Sequence, residues 1–177
     1  MDFSKDIVSG NKGAGKYTAI RIEDLPPLYL AYMVKAGGDS GKIHSDVRRR
    51  WESGEQAVVD AMNEFARITD VVGEAIAKHD YAQLGQQMDY NFDLRRTIYG
   101  DAVTGHENIV FVEVARSLGF HAKFTGSGGA FVLVSKSATA LSAEDEVAVC
   151  DRLAKIGFAF TRVAVQAHGQ PLNLVMM

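Results

Sequence analysis

The chain has 177 residues and a formal net charge of −3; 47% of it is hydrophobic and 23% charged. These proportions describe an ordinary globular domain with a sizeable core, and the missing basic excess excludes the electrostatic footprint of a nucleic-acid binder. No apolar run reaches the ~18 residues of a spanning helix, the N-terminus lacks the apolar segment of a signal peptide, and the single Cys150 cannot close an internal disulfide, which together fit a cytoplasmic protein without a membrane partner.

Gly10 to Lys16 fits the first part of a nucleotide-binding P-loop, but Tyr17 stands where Ser or Thr should hold magnesium, so the stretch reads as a mobile Gly/Lys loop. Tyr17–Ile22 alternates β-branched and aromatic residues and predicts a strand. After the break at Pro26 and Pro27, Leu28–Val34 is an almost continuous apolar run, as in a strand covered on both faces. A polar glycine loop, Gly37–Lys42, then leads into a helix from Ile43 to Trp51. A helix start of this kind offers free N–H groups to an anion, with Lys42 and His44 as added donors; equally, Asp39 or Ser40 is a plain cap and Lys42 a solvated side chain. Arg48, Arg49 and Arg50 spread around that helix and read as solvated or paired with acidic neighbours.

Ser53 and Gln56 have capping-box spacing and open a long helix with apolar residues from Val58 to Ile76 at helical intervals. A further helix covers Tyr81–Tyr99. Its seam passes through Tyr81, Leu84, Met88, Ile98 and Tyr99, and Asn91 and Arg95 project into the middle of it. A guanidinium on an apolar seam needs a partner, so Arg95 either meets a core carboxylate or faces a cavity that receives an anionic ligand. Thr104 and Glu107 suggest another capping box, for a helix ending at Gly119, and Ser142 caps a last helix that Gly157 ends. Cys150 reads as a small core residue on that helix. Phe158–Val165 alternates as a final strand.

Between the last two helices lies Ala122–Val132, two apolar segments around a glycine loop, Thr125-Gly126-Ser127-Gly128-Gly129. Glycines reach φ > 0 cheaply and leave backbone amides uncovered, so the loop serves either as a hairpin turn or as an anion cradle. No histidine, cysteine or carboxylate spacing matches a metal site. Strand, helices, strand, strand, helix, strand is the order of a split βαβ unit. The expected fold class is therefore α+β and ferredoxin-like: an antiparallel four-stranded sheet with several helices packed on one face.

Met1–Ser4, Leu25–Leu30, Asp39–Ser45, Val47-Arg48 with Arg50-Trp51, Asn91–Arg96 and Lys123–Gly129 resemble, in order, the C-terminal half of the plant-type glucuronokinases. These are sugar-1-kinases of the GHMP superfamily, relatives of galactokinase, homoserine kinase and mevalonate kinase. The resemblance implies a GHMP kinase C-terminal domain over residues 25–166, preceded by an extension, 1–24, from the interdomain region and followed by a tail, 167–177. It implies that Thr125, Gly126, Ser127, Gly128 and Gly129 line a nucleotide phosphate site, with Ala130 where many members have another glycine. Ser40, Lys42, His44, Asn91 and Arg95 would border the sugar pocket, where Arg95, Lys42 or His44 could meet a uronate carboxylate. ATP and Mg would be co-substrates, with no tightly bound cofactor and no catalytic residue in this chain. The superfamily's central phosphate loop and its proposed Asp base would lie before the residue where the chain begins. The implied function is half of a sugar kinase, inactive alone, whose partners are a sugar or sugar phosphate and either an N-terminal kinase domain or a second copy of the chain. The alternative is a non-catalytic binding or interaction module that kept the fold.

Overall fold

The computed structural model describes residues 3–35 and 41–164, of which 41–45 by their backbone alone. The order is α1 (Lys5–Gly10), β1 (Leu28–Met33), α2 (Gly41–Glu52), α3 (Gln56–Ala77), α4 (Tyr81–Tyr99), α5 (Asp101–Thr104), α6 (His106–Ser117), β2 (Phe120–Phe124), β3 (Ala130–Ser135), α7 (Ala143–Ala154) and β4 (Phe158–Arg162). The strands form one antiparallel sheet in the order β2-β3-β1-β4, the split βαβ arrangement. Tyr29 lies opposite Leu133 and Arg162, and Phe124 opposite Phe131.

Alternation along the strands decides which residues meet which helices. Tyr29, Ala31, Phe120, Ala122, Phe124, Phe131, Leu133, Phe158 and Phe160 form the main core with Phe111, Val112 and Ala115 of α6 and Val149 and Leu153 of α7. Phe131 is its centre, stacked on Phe111 at 4.2 Å and on Phe124 at 4.6 Å. Cys150 packs against this core, as expected of it, and burial pushes its thiol pKa up. Residues of the other parity, Val132 and Val134, join Leu84 and Met88 of α4 and Ala75 of α3 in a separate cluster.

Helix α4 is bolted to the β2 edge by Asp89. Its carboxylate accepts from the Ala122 backbone N–H (3.2 Å) and from Arg116 Nε (3.1 Å), and it pairs with His121 Nδ1 at 2.7 Å. The approach is close because Gly85 faces the His121 ring; a Cβ there would fall 2.1 Å from His121 Cδ2.

Several expectations are corrected. Tyr17–Ile22 is no strand: only an isolated bridge at Lys16 and a 3-10 turn, Ile22–Asp24, occur there. The four-stranded sheet has no place beside this segment, so its alternating residues stay outside, Tyr17 68% and Ile20 54% exposed, and Arg21 closes a local pair with Asp24. Helix α1 precedes the Gly/Lys segment and no helix follows it directly, which is not a P-loop context. Neither proposed capping box forms. Ser53 Oγ donates to Arg50 O at the end of α2, and Thr104 Oγ1 donates to Gly100 O inside α5, so α3 and α6 start without side-chain caps. Caps do form at Asp80 and Ser142, which accept from Gln83 N and Asp145 N. Helix α2 begins at Gly41, two residues before the expected start at Ile43. The three arginines pair as anticipated, Arg48 with Glu52, Arg49 with Asp46 and Arg50 with Glu55.

Candidate functional site

The glycine loop joins β2 to β3. It is a hairpin turn, closed by Thr125 N and Oγ1, which both donate to Ala130 O at 3.1 and 3.2 Å. It also projects: Thr125, Gly126, Ser127 and Gly128 are exposed. Gly128 and Gly129 have φ of +151° and +71°, backbone that side chains other than glycine's rarely adopt. Gly129 anchors the base, its carbonyl accepting from Met33 N (2.7 Å) and its N–H donating to Asn108 Oδ1 (3.2 Å). Asn108 is held in turn through Nδ2, which donates to Thr104 O at 2.8 Å.

Arg95 sets the orientation of the loop. Its Nη1 donates to Gly126 O at 2.8 Å and its Nη2 to Ser127 O at 3.1 Å. No cis peptide bond occurs among the described residues, and in a trans peptide the C=O and N–H point to opposite sides. Drawing these two carbonyls toward α4 therefore turns the N–H groups of Ser127 and Gly128 away from it. Neither amide, nor that of Gly126, makes a hydrogen bond to another described residue. The loop thus presents a row of free donors on its outer side.

The charge beneath the loop is positive. The Arg95 guanidinium lies 4.8 Å from the Phe124 ring centroid and 5.2 Å from that of Tyr99, and no carboxylate pairs with it among the described residues. Lys123 Nζ donates to Phe124 O at 2.7 Å and likewise has no acidic partner there. Burial lowers the pKa of both, and for Lys123 the charge of Arg95 lowers it further. The neighbouring arginines are paired, Arg96 with Asp101, and Arg116 with Asp89 and Asp93. The α4 side of the loop thus carries two half-buried cations without acidic partners among the described residues, and its outer side carries free backbone amides, both of them groups able to receive an anion.

The expected site residues divide accordingly. Thr125, Gly126, Ser127, Gly128 and Gly129 are together in the loop, and Arg95 joins them from α4. Arg95 meets loop carbonyls and not a core carboxylate, and those bonds occupy one N–H of each Nη. Asn91 lies a turn earlier and lines a neighbouring cavity with Lys123. Ser40 lies outside the described residues; Lys42 and His44 fall in the first turn of α2, with side chains outside the described set. Sequence reasoning missed Asn108 and the site role of Lys123. Asn108 carried the same signal as Asn91, an amide beside the apolar run Ile109–Val112.

Among the described residues no group of three or more His, Cys, Asp or Glu side chains gathers as a metal site. Nor is any described helix long and apolar enough to cross a membrane.

No protein-family model matches the chain. It is 48% identical over 133 residues to probable glucuronokinase 2 of Arabidopsis thaliana and 44% identical over 133 residues to glucuronokinase 1 of the same plant. Each match takes in 75% of this chain but 36% of the relative, so the chain spans about a third of the length of the curated relatives it matches. Among solved structures, the L. major mevalonate kinase in complex with R-mevalonate superposes with a TM-score of 0.63 at 23% identity, over 77% of this chain and 41% of that one. Matching the glucuronokinases in sequence and the mevalonate kinases in fold, this chain belongs to the GHMP kinases and has the fold of their C-terminal domain.

Proposed function

We propose that the chain forms the glycine-loop wall of the ATP phosphate site of a sugar-1-kinase. The reaction is transfer of the ATP γ-phosphoryl group to the anomeric hydroxyl of a hexose or uronic acid such as glucuronate. The observation that carries this reading is the Arg95 clamp, which aims the Ser127 and Gly128 amides outward. Phosphoryl transfer needs positioning and charge neutralisation more than covalent help from the protein; the preorganised outer amides offer hydrogen bonds to phosphate oxygens, and Arg95 and Lys123 add positive charge from the inner side of the loop. The loop's recorded partners are Arg95, Asn108, Met33 and Ala130, none of them a carboxylate able to take the proton of a sugar hydroxyl. The base, the metal ligands and the facing phosphate loop then belong to another part of the kinase.

Titration of the ¹⁵N-labelled chain with ADP tests this. The Gly126–Gly129 amides should shift, and Gly128→Asp, which adds a carboxylate and a strained side chain at φ +151°, should abolish the shifts. An ATP-coupled assay with glucuronate should stay blank for the isolated chain. Shifts confined to other regions would remove the phosphate reading; turnover lost on Gly128→Asp would show instead that the chain is catalytically sufficient.

A further inference from the structure

Lys123 also borders a second feature, which the phosphate reading does not use. On the sheet face away from the phenylalanine core, β1 and β3 and the α3–α4 hairpin enclose a cavity of about 340 Å³. This is within the range of small-molecule sites, which span roughly 300–1,000 Å³. Its walls are mainly aliphatic, with Leu84, Met88, Val132 and Val134 among them.

Four polar side chains enter this lining: Thr69, at the rim, donates its hydroxyl to Phe65 O, and the other three, Gln87, Asn91 and Lys123, have unused hydrogen-bonding capacity. Gln87 and Asn91 are four residues apart on α4 and so share one face, a turn from each other. Gln87 Oε1 is buried without a hydrogen-bond partner, and the Asn91 amide makes no side-chain hydrogen bond to a described residue. Lys123 spends one of its three N–H donors on Phe124 O. No acidic residue stands among the described lining residues. An unpaired acceptor and a half-buried ammonium in aliphatic surroundings are costly unless a ligand satisfies them.

We propose that this cavity binds a small amphipathic carboxylic acid, the carboxylate held by Lys123 and the Asn91 amide, the apolar body among Leu84, Met88, Val132 and Val134. A hydroxyl or amine next to the carboxylate would serve Gln87 Oε1. A sugar fits this cavity poorly. Its hydroxyls lie all round the ring, and three polar side chains at one side would leave most of them unpaired against aliphatic walls. A neutral apolar ligand would leave Lys123 as it is.

The test is calorimetry and ¹⁵N NMR on the full chain with three probes: octanoate, 1-octanol and glucuronate. Octanoate should bind at least about tenfold more tightly than octanol and shift the side-chain amides of Gln87 and Asn91. Lys123→Met should reduce octanoate to the level of octanol and leave octanol unchanged. Thr69→Trp, at an exposed rim position, should weaken both without touching the core. Absence of octanoate binding, equal binding of octanol, or shifts away from Gln87 and Asn91 would each overturn the proposal. Glucuronate matching octanoate at these amides would also overturn it and give the cavity to the sugar. The Gly126–Gly129 amides, followed in the same spectra with ADP, report on the phosphate site separately.

Discussion

In the proposed phosphate site, Arg95 on a helix and Lys123 on a strand matter for what they lack, an acidic partner among the described residues. Arg95→Met keeps most of the apolar stem over Phe124 and Tyr99 but removes the two donors to Gly126 and Ser127. The loop carbonyls are then free to turn, and ADP affinity should fall roughly tenfold or more while the fold survives, as NMR titration and circular dichroism would show. For Lys123 the sign of the pH effect follows from burial. Its folded-state pKa lies below the unfolded value, so between the two the unfolded chain holds the extra proton. Stability should therefore rise as pH climbs through that interval, which lies below the ordinary lysine value. Anion binding should fall over the same interval, because the ammonium is what the anion meets. Lys123→Met should flatten both profiles and leave stability within about 1 kcal/mol of the parent or above it, measured by denaturant titration across alkaline pH.

At the scale of elements, the junction of α4 with β2 is the most sensitive part of the molecule. Gly85→Ala would drive a methyl into the His121 ring, which Asp89 holds in place, so the ring cannot swing away without losing that bond. A loss of about 2–3 kcal/mol is expected, seen as a thermal midpoint lower by roughly 4–10 °C. Phe131→Ala, at the centre of the aromatic core, should cost about 3–5 kcal/mol. Both effects should appear in urea titration. Because α4 also carries Arg95, Asn91 and Gln87, displacement at Gly85 should weaken ligand binding as well as stability. A fold held only by the phenylalanine core would lose stability alone.

For the whole molecule, the chain spans about a third of the length of the glucuronokinases it matches, and the proposed function puts only one wall of the kinase site in it. Mixing this chain with the remaining part of an Arabidopsis glucuronokinase is expected to restore ATP- and glucuronate-dependent turnover that neither part shows alone, and Arg95→Met in this chain should reduce it. The strand expected at Tyr17–Ile22 does not exist and so offers no open edge to a second copy of the chain; the sheet edges are β2 and β4. Helix α4 covers the β2 edge through Asp89.

By itself the sequence determined the order of strands and helices from Leu28 onward, the split βαβ sheet and the glycine loop, because each is written in local periodicity or in residues with special backbone freedom. It could not say that Ser53 and Thr104 would bond backward into the preceding turn, nor that Tyr17–Ile22 would find no neighbouring strand, since both depend on what lies next to them in space. It located Arg95 as a polar group requiring a partner but not the partner. That partner is 31 residues away, at Gly126. Only the tertiary structure brings α4 onto the β2–β3 turn, and that packing is what makes the turn's amides face outward.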